Sequence, residues 1–239
     1  MLNPSVWPEF MLNDAVSNRL WRRLKPDFAE FQFVLCDAAG TVIAVGNTLP
    51  LVWDGTLDGL PPGWDDALER GVDGFDRKHA PTTLCALSAT VALSLQGKGL
   101  SRWVVRGMKA VAARHGLNAL IAPVRPTLKS RYPLTPIERY VQWTRSDGQP
   151  FDPWLRVHRS LGAELMKLAP ESMRIVGTIA EWETWTEMRF PDSGLYIVPG
   201  ALEPVTIDRE QDCGRYLEPN VWMRHPITAD DLESGKSLG

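Results

Sequence analysis

The stretch that decides the fold is "SLQGKGLSRWVVRGMKAVAARHG", residues 94–116. Two glycines flank Lys98, and an amphipathic helix follows at once, from about Leu100 to Arg114, with Gly116 placed to close it. A glycine turn aimed into a helix N-terminus gathers unpaired backbone N–H groups at the positive end of the helix dipole. Such a site suits an anion.

Working outward, the apolar run "TTLCALSATVALSL" (82–95) predicts a central strand before the turn, and "LNALIAPV" (117–124) a second buried strand after the helix. Strand, glycine turn, helix and parallel strand form a phosphate-binding unit. Neither G-x-G-x-x-G nor the Walker A spacing is present, so the dinucleotide and P-loop readings fail. Upstream, "NDAVSNRLWRRL" (13–24) predicts a helix capped by Asn13 or Asp14, "FQFVLCDAAGTVIAVGN" (31–47) a hairpin around "DAAG", and residues 61–75 a short helix behind Pro61, Pro62 and Gly63. Downstream, residues 125–151 carry four prolines and alternate basic with aromatic residues, which predicts a long functional loop with one helical turn near Pro136–Tyr140. Asp152 and Pro153 start a helix predicted over 152–170. Residues 173–188 predict a strand, and 193–210 a strand broken at "PGALEP". That order predicts one α+β domain over 13–226, preceded by a segment 1–12 and followed by a polar, frayed tail 227–239.

Composition narrows the function classes. A chain of 239 residues with 44% hydrophobic and 23% charged residues folds without staples. A net charge of -3 gives no basic footprint for nucleic acid. Three cysteines without C-x-x-C or zinc spacing predict a reducing compartment and no metal. Cys85, on the central strand, has no histidine or helix N-terminus to activate it and reads as a small core residue. No signal peptide and no apolar run of about 20 residues are present, so the expectation is cytoplasmic, with no membrane partner. Ten tryptophans predict large aromatic walls, in the core or around a pocket. Trp21, Trp143 and Trp154 fall nearest the expected site.

Gln96, Gly97, Lys98, Gly99, Leu100 and Ser101 resemble the Gln/Arg-x-x-Gly-x-Gly/Ala turn of the GNAT (Gcn5-related N-acetyltransferase-like) superfamily, with Ser101 departing at the last position. "VHRSLGA" (157–163) resembles that family's FY-x-x-LGF segment. The resemblance covers about residues 15–210 and implies a mixed, centrally splayed β-sheet flanked by helices. It also implies bound acyl-CoA: the strand carrying Val91 and leading to Leu93 pairs with the pantetheine arm, and residues 97–102, ending at Arg102, hold the pyrophosphate. The family tyrosine that protonates the leaving thiolate is matched by His158, whose ordinary pKa near 6.5 suits proton transfer.

The C-terminal third, including "PFDPWLRVHRSLGAELMKLAPESM" and "YIVPGALEPVTIDREQDCGRYLEPNVWM", is similar to the GNAT-like domains of polyketide synthase loading modules. That likeness implies a second catalytic residue, Thr127, and either acyl transfer to a carrier protein or decarboxylation of malonyl-CoA or methylmalonyl-CoA. Decarboxylation leaves an enolate, which needs a donor and then a proton. Thr127 and His158 would supply them. Arg125, Lys129, Arg131 and Arg174 are candidates to orient a substrate carboxylate, and equally a solvated loop or contacts to CoA phosphates. Glu181 and Glu183 would share one face of the 173–188 strand, as an amine-deprotonating base or as a polar outer face over Trp182. Three functions follow: transfer of acetyl or a related short acyl group from CoA to an amine or thiol, malonyl-CoA decarboxylation, or CoA binding without catalysis.

Overall fold

The computed structural model describes residues 7–228 and 231, so residues 1–6 and most of the predicted tail lie outside the described residues. Helix α1 (Ala15–Leu20) starts on Asp14, whose carboxylate accepts from the Ser17 N–H at 2.6 Å. The single helix expected over 13–24 is instead α1, a 3-10 turn at Trp21–Arg23 and α2 (Leu24–Asp27). Where the chain tightens, Trp21 stacks on Trp64 with ring centroids 6.1 Å apart. Strands β1 (Gln32–Cys36) and β2 (Val42–Leu51) form the expected hairpin, with Asp37 accepting from the N–H groups of Ala39 and Thr41 at 2.9 Å each. Then come α3 (Trp64–Asp76), β3 (Thr83–Val91), α4 (Leu100–Arg114) and β4 (Ala119–Val124). The loop after β4 contains α5 (Ile137–Tyr140) and leads to α6 (Pro153–Ser160), β5 (Glu164–Gly177), α7 (Ile179–Thr186), β6 (Gly194–Tyr196), β7 (Val205–Asp208) and β8 (Cys213–Pro226).

The eight strands make one mixed sheet in the order β1-β2-β3-β4-β8-β7-β6, with β5 along the other edge of β8. Among the described residues only β3 and β4 pair in parallel, at Leu84–Leu120 and Cys85–Ile121. Beyond those two rungs the strands part. β3 keeps β2 as its partner out to Val91, and β4 keeps β8 out to Val124, so two open backbone edges face each other across a V.

The helices cover opposite faces, and the glycines show how closely. Phe33 lies over Gly107 of α4 and Gly46 of β2, where a Cβ would come within 2.5 and 2.3 Å of its ring. Leu49, three residues along β2 and therefore on the other face, lies against Gly71 of α3. The α1–α3 face and the α4–α6 face thus enclose the fork, and Leu84, Val104, Met108, Leu120 and Trp222 fill the main core with almost no exposure. No helix among the described residues is long and apolar enough to cross a membrane.

Three expectations after residue 150 are corrected. The helix expected over 152–170 ends at Ser160, because Gly162 turns left-handed (φ +82°) and residues from Glu164 join β8. Pro170, which has no N–H to give a ladder, sits in the bulge between Ala169 and Met173. The strand expected over 173–188 stops at Gly177. Thr178 and Glu181 then form a capping box and start α7, with Ile179 and Trp182 turned inward. Glu181 and Glu183 therefore share no strand face. Glu181 is bound to Thr178, and Glu183 to Arg189 and the Phe190 N–H. The strand predicted over 193–210 is β6 and β7 around the expected break, while β8 follows a stretch with no expectation attached.

Candidate functional site

The fork ends at the glycine turn. Gly97 and Gly99 take φ of +76° and +81°, values a side chain resists, and nothing lies within 4 Å of where their Cβ atoms would stand. Gly99 precedes α4, and no side chain among the described residues caps that helix; the Arg102 N–H closes onto the Gly99 carbonyl at 3.1 Å, and the N–H groups ahead of it suit an anion. Lys98 and Gln96 are exposed at the turn and Ser101 is half-buried, while Arg102 reaches Ser160 of α6. Val91 is the last residue of β3, paired with Ala44 on β2 only. Leu93 lies past the strand end in a 3-10 turn, 57% exposed. In the register between β2 and β3, Leu87 is skipped, a β-bulge at the mouth of the V. Its carbonyl accepts from Trp64 Nε1 at 2.9 Å.

His158 is buried to 2% exposure on the inner side of α6. Its ring meets the edge of Trp154, centroids 4.4 Å apart, and its Nδ1 lies 2.8 Å from Nε2 of His225 on β8. His225 pairs across the sheet with Leu120, one rung before the last shared β3–β4 pair. The imidazole therefore reaches the sheet at the base of the fork. Burial holds the His158 pKa well below its ordinary value and brings that of His225 down to about 4, so both rings are neutral at pH 7. Among the described residues His158 Nε2 has no hydrogen-bond partner, although it is buried. An orphaned ring nitrogen beside an open fork fits a bound acyl-CoA better than a closed core.

Asp152, 1% exposed, links the loop to α6. It caps the helix through the Trp154 and Leu155 N–H groups and accepts from the Leu128 N–H at 2.8 Å and the Tyr140 hydroxyl at 2.9 Å. Thr127 is exposed and lies 3.5 Å from this carboxylate, not against His158. The basic candidates are dispersed. Arg125 is spent on the buried Glu218 and the Gly200 carbonyl. Lys129 is wholly buried, donating to the carbonyls of Leu202 and Tyr132. Arg131 is exposed, and Arg174 sits on β5 with its guanidinium on Glu171. Of the tryptophans, Trp154 touches His158, Trp21 stacks on Trp64, and Trp143 packs with Tyr132, Tyr140 and Phe151 in an aromatic cluster of the loop.

Two features had no counterpart in the expectations. One is His225. The other is a carboxyl pair on the α1–α3 face: Asp14, fully buried, and Asp65 each keep one buried oxygen without a hydrogen-bond partner among the described residues. Burial, then the neighbouring Asp14 charge, push Asp65 up to about 8. Cys85 is buried with its thiol pushed far up by burial, as a core residue should be. Among the described residues no cluster of His, Cys, Asp and Glu could hold a metal. A cavity of about 370 Å³ beside α6, against Leu155, Ala163 and Met223, includes none of the fork or turn residues.

No protein-family model matches the chain. The arginine N-acetyltransferase avaD of Aspergillus versicolor is 35% identical over 251 residues, spanning 93% of this chain and 86% of that protein. Among solved structures, the loading GNATL domain of CurA from Lyngbya majuscula matches with a TM-score of 0.53 and 18% identity, covering 88% of this chain and 82% of that one. The GphF GNAT-like decarboxylase in complex with isobutyryl-CoA matches with a TM-score of 0.51 and 15% identity, over 88% and 85%. These two likenesses bear on the fold alone. With a parallel strand pair that forks above an uncapped, glycine-led helix, and with a relative of that identity along nearly its whole length, the chain belongs to the GNAT superfamily of acyltransferases.

Proposed function

We propose that this protein transfers acetyl from acetyl-CoA to a basic nitrogen of an arginine-type acceptor. The observation that carries the reading is the fork between β3 and β4, open toward the glycine-led N-terminus of α4, with the buried, neutral His158 held against His225 at the rung where the fork begins and its Nε2 without a partner among the described residues. In this reading the N–H groups of residues 97–102 hold the pyrophosphate, helped by Gln96, Lys98 and Arg102. The free edge of β3 toward Val91 and Leu93 receives the pantetheine amides, which places the thioester near the β3 bulge. The acceptor nitrogen bonds to the acyl carbon, the C–S bond breaks, and the nitrogen sheds a proton. His158 can take that proton and pass it to the departing sulfur. The arginine acceptor follows the name of the relative. Thr127 and the basic residues Arg125, Arg131 and Arg174 have no part in this chemistry.

The test is to incubate the protein with acetyl-CoA and L-arginine, following thiol release and product mass together. Acetylarginine formed with one thiol per transfer, and nothing released without acceptor, supports the reading. Conversion of malonyl-CoA to acetyl-CoA without acceptor, or acetylation of a carrier-protein thiol and of no amine, overturns it.

A further inference from the structure

Trp64 opens α3 and makes hydrogen bonds in two directions. Its indole Nε1–H donates to the Leu87 carbonyl at 2.9 Å, at the β3 bulge. Its backbone N–H donates to the Ser172 hydroxyl at 2.9 Å, in the bulge of β5 between Ala169 and Met173. Ser172 gives its own proton to Asn220 Oδ1 of β8 at 2.7 Å. An indole only donates and a hydroxyl has one proton to give, so the three bonds run one way only. All four residues are buried.

The two ends of this chain of bonds stand on different arms of the fork. β3 and β4 last pair at Cys85–Ile121, and Leu87 lies two residues further on, where β3 keeps β2 as its partner. Val124, the last residue of β4, pairs with Val221, so Asn220 lies just past it on the other arm, opposite Ala169 of β5. Trp64 therefore spans the opening on the α1–α3 face. Its seat on the β5 side is close and fixed. A Cβ on Gly63 would come within 2.3 Å of Ser172 Cα, and Asp65 accepts the Arg174 N–H at 3.0 Å. Trp21 stacks on the indole and holds its plane. Widening the gap would leave the buried Leu87 carbonyl without this donor, so the bond resists it.

We propose that Trp64 is a positioning residue, a strut that sets the spacing between the two arms of the fork. Its catalytic consequence rests on the acyl-transfer reading above, whereas the strut is a property of the free protein. In that reading the thioester lies on the β3 arm, and His158 is tied through His225 to β8 on the other. Trp64 thus governs the distance from the acyl carbon to His158. It leaves the binding of CoA to the turn and the β3 edge.

Trp64→Phe keeps a ring against Trp21 and removes the N–H. The deciding measurement is hydrogen exchange of the free protein. Amides of the β3–β4 rungs around Cys85 and Ile121 should exchange about 10-fold faster than in wild type, while those of the β1–β2 and β7–β8 ladders keep their rates. Unchanged exchange, or an equal rise over the whole sheet, overturns the proposal whether or not the protein acetylates arginine. In turnover, kcat should fall about 10- to 100-fold, the scale of a displacement of about 1 Å, with KM for acetyl-CoA nearly unchanged. Ser172→Ala cuts the other end and should show the same exchange pattern and the same kind of loss. The double variant should lose no more than the worse single one, as groups acting as a unit do. Losses that multiply in the double variant, or full kcat in either folded single variant, overturn the strut. If wild-type protein acetylates no acceptor, the proposed function fails, and the exchange pattern still decides the strut.

Discussion

Glu218 has none of its surface exposed, and it is held by the Arg125 guanidinium on one oxygen and the Tyr216 hydroxyl on the other. Arg125 also donates to the Gly200 carbonyl at 2.6 Å, and Tyr216 accepts from the Leu202 N–H at 2.8 Å. The network thus ties the start of the long loop to β8 and the 197–203 turn. Arg125→Met should therefore cost about 3–5 kcal/mol, the range seen when one partner of a buried ion pair is removed. Adding Glu218→Gln should recover most of that loss, because no buried charge is then left alone. Denaturant midpoints of the single and double variants check this, and a single change costing under about 1 kcal/mol would refute the structural role. In the sequence Arg125 is one more cation in a basic loop. Its partner stands 93 residues away, so pattern could not separate an anchor from a substrate ligand. The same distance problem hid His225, 67 residues from His158, whereas His158 itself was legible because it sits inside a local motif that ends a helix.

A helix and its turn decide what the same substitution does in two places. At Gly99, with φ +81°, an alanine has room but the wrong backbone, at a cost of about 1–2 kcal/mol. The amides of the α4 first turn would also be displaced. Gly74 lies near the end of α3 with an ordinary φ and nothing within 4 Å, so alanine there should add about 0.5–1 kcal/mol of stability. Gly99→Ala is thus expected to lower stability and weaken acetyl-CoA binding about 10-fold, a loss of roughly 1.4 kcal/mol. Gly74→Ala should raise the melting temperature and leave binding alone. Calorimetric titration and thermal melts on the pair read both effects, and equal binding by the two variants would remove the turn from the CoA site. Elements of this kind were legible: β3, the turn, α4 and β4 each carry their own periodicity and their own stop signal. Elements were lost where tertiary partners override the local pattern. β5 reads as a helix continuing through Leu165, Met166 and Leu168 until Gly162 and the β8 ladder claim it. β8 buries Glu218, Asn220 and His225 among its apolar residues, which erases the alternation that announces a strand. The start of α7 was readable, since Thr178 and Glu181 have capping-box spacing, but the alternation before it ran on through the boundary.

Across the whole molecule, the two faces that enclose the fork titrate in opposite senses. On the α1–α3 face Asp65 holds its proton up to about 8, against an ordinary 3.8, first because it is buried and then because Asp14 lies beside it. Between those values the native chain keeps a proton that the unfolded chain has lost, so this face contributes stability below pH 4 that drains away as pH rises toward 8. Asp14, also raised by burial, adds in the same direction. On the α4–α6 face the histidines do the reverse. His225 titrates at about 4 and His158 well below 6.5, so from pH 6.5 downward the unfolded chain binds protons that the native one refuses, and stability falls with acid. The trends oppose each other from 4 to 6.5, and only the carboxyl trend remains above that range. Thermal melts from pH 4 to 9 should therefore show a decline between about 6.5 and 8, a window above the range of ordinary carboxylates and past the midpoint of ordinary imidazoles. Asp65→Asn keeps an oxygen for the Arg174 N–H, which Asp65 accepts at 3.0 Å, and removes the trapped proton. It should flatten the upper limb and leave the acid limb in place. A wild-type melting curve that is level from 6.5 to 8, or a decline that survives in Asp65→Asn, would mean that the carboxyl pair is not protonated in the native state.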